Sequence, residues 1–158
     1  MNKYELELFA DHFQFYIQDE GSEGINGDSW PEEASHRMLA IEKGAIGVRT
    51  VRNMDVPVTI EILDSEPKRD VADWDHVVEC SIHVPSGRLV AAGCTDYFPE
   101  AMRIEVLCGT YRARVSYGSL TSLSEDGLDG DDRYRVQLWP GKTIDAEVVK
   151  FGNPNTAR

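Results

Sequence analysis

The sequence predicts a mainly β protein: a two-sheet antiparallel β-sandwich with one short helix at about residues 31–43. Three observations carry this. Apolar and polar residues alternate along most of the chain, as half-buried strands require. The alternating runs are short and separated by turn-forming residues such as Pro85-Ser86-Gly87. Only one stretch carries helical spacing. A closed barrel satisfies the same pattern and stays open as an alternative. The 158 residues read as one domain, 1–158, large enough to bury a core without covalent or metal staples.

The strands follow in order. Tyr4, Leu6 and Leu8 alternate with Glu5 and Glu7, and Phe13, Phe15 and Ile17 with Gln14, Tyr16 and Gln18. Val58, Ile60 and Ile62 make the next run, then Val78, Cys80, Ile82 and Val84. Met102, Ile104, Val106 and Cys108 follow, then Tyr111, Ala113, Val115 and Tyr117, and finally Tyr134, Val136 and Leu138. Further strands are expected at Ala45–Val51, Leu89–Ala92 and Ile144–Phe151. The helix has Ser29 and Glu32 spaced as a capping box, Pro31 in its first turn and Gly44 as a C-cap. Ala34, Met38, Ile41 and Ala45 form its buried stripe.

The net charge is −12. That disfavours nucleic acid and anionic membrane as partners, and favours a basic protein or simply high solubility. No apolar leader or membrane-length run appears, and Cys80, Cys94 and Cys108 are odd in number and widely spaced. A cytoplasmic protein with reduced thiols is the expectation. An exposed edge strand would permit a homodimer.

Nothing in the sequence has the spacing of a zinc site, a P-loop, a dinucleotide-binding turn or a nucleophile elbow, so no catalytic residue, metal or cofactor is assigned. His76 and Cys80 share a strand face, but four residues along a strand separate them by about 13 Å. The notable surface signal is three acidic loops: Asp19–Glu33, Asp64–Asp75 and Gly118–Asp132. Two of them sharing one end of a sandwich would make a negative rim that steers a cationic partner. Solvation alone also accounts for polar loops. Asp126-Gly127-Leu128-Asp129-Gly130-Asp131-Asp132 offers oxygen ligands for calcium but misses the EF-hand spacing.

Trp30 and Trp74 each sit among acids, the composition of an interface anchor with a charged rim. Trp30, just before the helix, reads first as an aromatic that folds its loop onto the core, and for Trp74 the two readings stand level. Trp139, before Pro140-Gly141, reads as structural. The candidate partner-binding residues are therefore Trp30, Trp74, Glu23, Asp28, Asp126, Asp129, Asp131 and Asp132.

Between His12 and Leu63 the chain shows an aromatic strand (Phe13, Phe15, Tyr16), then Trp30 shortly before Glu33-Ala34. A helix then runs towards Gly44-Ala45-Ile46, and an Arg52-Asn53 pair precedes the strand at Val58–Ile62. This order resembles the competence protein J family, the DNA-entry nuclease inhibitors. The chain departs from that pattern in an acidic insertion at Gly21–Asp28 and in its acidic Gly118–Asp132 loop. The resemblance implies a bacterial cytoplasmic protein that is no enzyme. It would inhibit a nuclease by stoichiometric binding, and it transfers no inhibitory residue motif. An immunity protein to a nuclease toxin would use the same physics. The alternative from the residues themselves is a β-sandwich module binding a small ligand, carbohydrate or calcium, with Trp30 or Trp74 as platform.

Overall fold

The alternating runs pair into two stacked sheets in the computed structural model, which describes residues 2–155. The six-stranded sheet has the order β1 (Asn2–Phe9), β5 (Asp55–Ile62), β10 (Arg133–Pro140), β9 (Gly109–Gly118), β6 (His76–Val84) and β11 (Glu147–Lys150). The five-stranded sheet runs β3 (Leu39–Glu42), β4 (Ala45–Arg49), β2 (Gln14–Asp19), β7 (Arg88–Gly93) and β8 (Met102–Glu105). Every pair is antiparallel except β5 with β10, which run parallel with Tyr134 opposite Val58. The expected sandwich is present, with a mixed rather than purely antiparallel large sheet.

Period-2 patterning decides which faces meet. On β6, Val78, Cys80, Ile82 and Val84 point into the core; opposite them on β9 are Val115, Ala113, Tyr111 and Gly109. Phe15 and Ile17 of β2, Ile46 and Val48 of β4, and Leu89 and Ala91 of β7 meet them from the other sheet. At ~25 cal/mol per Å² of apolar surface removed from water, such burial is the main stabilising contribution. Cys80 lies within it, and burial pushes its thiol up to about 12. All three cysteines are free thiols.

The helix is shorter than its pattern. Helix α1 spans Glu32–Arg37, and Met38 ends it with φ +64. Leu39–Glu42, read as helix from the stripe of Ala34, Met38, Ile41 and Ala45, instead forms β3. The segment satisfies both periods, and the strand wins because it pairs with β4 from Leu39↔Val48 to Glu42↔Ala45. Gly44, with φ +71, is the turn glycine of this hairpin rather than a helix cap. The Ser29–Glu32 capping box is also not formed. Ser29 closes a 3-10 turn with Asn26 and donates to Glu42 Oε2 at 2.7 Å, and Pro31 is the N-cap.

Two other expectations change in detail. The run Met102–Cys108 stops as a strand at Glu105. Phe13 does not continue the inward face of β2, because it lies before the strand with φ +62. Among the described residues no helix is long and apolar enough to cross a membrane.

Candidate functional site

The registers place the acidic loops. Asp19, where the first loop leaves β2, is opposite Leu89, next to the β6–β7 turn. The third loop joins Gly118 of β9 to Arg133 of β10, beside the start of β6, where His76 faces Tyr117. The two loops therefore begin at opposite ends of β6, whose nine residues span roughly 26 Å. They do not share an end.

The second loop lies at neither end. Residues 63–75 cross the outer face of the six-stranded sheet, fastened by side chains of β9 and β10. Arg114 donates to the Pro67 carbonyl at 3.0 Å and to Glu66 at 3.0 Å, and Arg135 holds Asp70 through two bonds of 2.6 and 2.8 Å. The Arg135 guanidinium holds the Asp70 carboxyl below its usual range. Trp74 is buried on this face under Arg133 and Arg135, whose guanidinium carbons lie 4.0 and 4.6 Å from its ring centre. Its ring is taken up by these cations, and it offers no open platform.

Trp30 is half-buried. Its Nε1 donates to Gln14 Oε1 at 3.1 Å, and its ring packs against Gly47 of β4, where any Cβ would crowd it. This loop is thereby laid on the outer face of the smaller sheet. Glu23 and Asp28 are exposed on it. Glu23 lines a cleft of about 410 Å³ with Asp19, Ser22, Glu42, Lys43 and His83, at the β6–β7 end.

The third loop is built around its serines. Ser124 N–H donates to the Asp129 carbonyl at 2.8 Å, Asp129 N–H to Ser124 Oγ at 3.0 Å, and Asp131 N–H to Ser122 Oγ at 2.8 Å. Asp126 accepts from the Ser124 hydroxyl and the Leu128 N–H, and these bonds hold its carboxyl below the usual range. Asp126, Asp129 and Asp131 face solvent. Asp132 is fully buried: it accepts from Arg52 Nε at 2.8 Å and from the Tyr134 hydroxyl at 2.7 Å. Burial first, and the Asp132 charge second, push the Tyr134 phenol far up. The same oxygen accepts from Val51 N–H at 3.0 Å. Asp132 therefore anchors the loop to the β4–β5 connection and is out of a partner's reach.

Asp126, Asp129 and Asp131 share their end with exposed apolar groups that the sequence pattern missed. Phe9 is 39% exposed, Phe13 44%, Met54 37% and Leu128 49%. Ala10 N–H donates to the Met54 carbonyl at 2.9 Å, joining the β1–β2 and β4–β5 connections; Arg52 Nη1 reaches the Leu128 carbonyl at 3.4 Å. Alternation assigned Phe13 to the core, and only its left-handed backbone turns it out. Leu128, an isolated leucine among acids, was the one signal available. Among the described residues no three His, Cys, Asp or Glu side chains are grouped so as to hold a metal ion.

This geometry has counterparts among solved structures. The crystal structure of ComJ from Bacillus subtilis, inhibitor of the DNA degrading activity of NucA, superposes with a TM-score of 0.66, covering 89% of this chain and 96% of that one at 18% identity. The chain has the competence protein J fold. A second structure, described as crocagin biosynthetic gene J, gives a TM-score of 0.60, covering 90% of this chain and 100% of that one, also at 18% identity. No protein-family model and no curated protein matches the chain. At this identity ComJ fixes the fold and leaves the surface chemistry to be read from this chain's own residues.

Proposed function

We propose that this protein is a nuclease inhibitor that acts by stoichiometric binding of a basic nuclease in the cytoplasm, and is not itself an enzyme. The observation that carries the reading is the ComJ fold over nearly the whole of both chains, since ComJ is an inhibitor of a DNA-degrading nuclease. The charge of −12 supports it, because a nuclease cleft that holds phosphates is positive. Asp126, Asp129 and Asp131 are the acids placed to approach such a cleft. They lie on a loop already ordered by internal hydrogen bonds, so binding immobilises little. Glu23 and Asp28 lie on the other loop and bear on long-range attraction rather than on the same contact.

The test is titration of the purified protein into a DNA-cleavage assay with the deoxyribonuclease of its own source. Activity should fall linearly to an equivalence point near one to one and recover as salt is raised. Undiminished cleavage at a tenfold excess would refute the reading.

The cleft at the β6–β7 end favours a second reading, a module that binds a small polar ligand among Asp19, Glu23, Glu42, Lys43 and His83. Neither Trp30 nor Trp74 contributes to that cleft.

A further inference from the structure

The β1–β2 turn is strained where strain gains nothing for the core. His12 and Phe13 have φ of +58 and +62, two consecutive non-glycine residues in the left-handed region. For an L-residue with a Cβ that conformation is sterically unfavourable. The frame that enforces them is complete. Phe13 N–H donates to the Ala10 carbonyl at 3.0 Å, Thr50 N–H donates to the Phe13 carbonyl at 2.9 Å, and Asp11 Oδ2 accepts from the Thr95 hydroxyl at 3.1 Å. An extended residue 13 would have sent its ring inward; the turn holds it out in solvent instead.

Phe9, Met54 and Leu128 are exposed at the same end, so the ring does not stand alone. Asp11, Asp126, Asp129 and Asp131 edge this apolar surface, and among the described residues none of them takes part in an ion pair within 4.0 Å. Of the nearby cations, Arg52 is engaged by buried Asp132 and Arg133 by the face of Trp74; Arg49, paired with Gln14 in the smaller sheet, is in no ion pair within 4.0 Å among the described residues and leaves acids in the majority at this end. Aromatic and aliphatic side chains ringed by charge are the anatomy of a binding hot spot. The sign of the rim selects the occupant. Nucleic acid, an anionic membrane and a second copy of this acidic chain would all be repelled.

We propose that Phe13, raised on its left-handed turn and flanked by Phe9, Met54 and Leu128, is the anchor by which this acid-rimmed end docks into a basic-rimmed apolar socket on a protein partner. The partner's being a nuclease rests on the reading above; the surface rests on this chain's own geometry. Phe13 fills the socket, the aliphatic neighbours exclude water around it, and Asp126, Asp129 and Asp131 meet the basic rim.

The test places the photo-cross-linker p-benzoylphenylalanine singly at positions 13 and 128, and at position 107 of the opposite end as control, in cells of the source organism. It is joined to a Phe13→Asn variant, because asparagine accepts the left-handed backbone while removing the ring. Adducts to a basic nuclease from positions 13 and 128 but not 107, with inhibition weakened at least about tenfold by Phe13→Asn at an unchanged unfolding midpoint, are expected. Adducts to the nuclease from 107 alone, or full inhibition by Phe13→Asn, would overturn the docking surface and leave the inhibitor reading standing. Adducts from 13 and 128 to a basic protein without nuclease activity, whose binding Phe13→Asn weakens, would keep the surface and overturn the inhibitor reading. Adducts to lipid or to a second copy, or none at all, would overturn the surface.

Discussion

Glu79 and Arg114 are both fully buried, and Arg114 Nε donates to Glu79 Oε2 at 2.7 Å across neighbouring strands of the larger sheet. Arg112 and Arg69 also reach the same carboxylate, at 3.1 and 3.4 Å. Removing one member of a buried pair leaves the other uncompensated, at about 3–5 kcal/mol. Glu79→Leu should lower the unfolding free energy by about that amount, read from urea titration. Arg69→Ala, with its side chain half exposed, should cost at most about 1 kcal/mol. Equal losses from the two variants would mean that Arg114 is not the partner that matters.

Acid should destabilise the protein in two stages. His76 is buried; its Nε2–H donates to the Arg37 carbonyl at 2.8 Å and its Nδ1 accepts from Gly152 N–H at 2.9 Å, which requires the neutral ring. Burial, with the His36 charge adding to it, lowers its pKa despite the Arg37 bond. Asp70 is lowered by Arg135; Glu79 is raised by burial but lowered on balance by Arg114, Arg69 and Arg112. In all three the folded value lies below the unfolded one, so the unfolded chain takes up protons first and stability falls with pH. The first loss begins below about pH 6.5 and the second below about pH 4. Urea midpoints measured from pH 7.5 to 3.5 should show both, and His76→Gln should remove the first alone. A flat midpoint between pH 7.5 and 5 in the wild type would contradict the His76 assignment.

Trp74 and the exposed aspartates should separate stability from binding. Trp74→Ala deletes a buried ring and should cost about 3–5 kcal/mol, with inhibition per folded molecule unchanged. Asp129→Lys with Asp131→Lys should leave the thermal midpoint within about 2 °C and slow association with the nuclease about tenfold at low salt. The deficit should shrink as salt is raised. A charge-reversed double variant that associates as fast as wild type places the contact elsewhere.

Gly152 passes so close to the Asp75 carbonyl that a Cβ there would overlap its oxygen. Gly152→Ala should push the C-terminal segment away from β6, costing about 1–3 kcal/mol. Hydrogen exchange at the β11 amides should speed up while the β9 amides stay protected. Unchanged protection in β11 would show that the segment yields without strain.

Alternation alone determined the fold class and most strands, because a strand buried on one face must repeat every second residue. Val78–Val84 and Tyr111–Tyr117 were legible in this way to the residue; Ala34 and Met38 were legible as buried from helical spacing, although Met38 ends the helix instead of continuing it. Leu39–Ile41 was not, since its apolar residues fit a helix and a strand equally and only pairing with Ala45–Val48 chose between them. The acids were legible as a composition, but which were free was not. Asp132 and Asp131 are neighbours in sequence, yet one is buried on Arg52 and Tyr134 and the other faces solvent. Trp74 stayed open between an interface anchor and a structural ring because its cationic partners Arg133 and Arg135 lie some sixty residues away on β10. Sequence fixes what each residue can do over a few neighbours. Which end a loop occupies, which charge is paired and which ring is turned outward depend on contacts between distant segments, and those exist only once the sheets have closed.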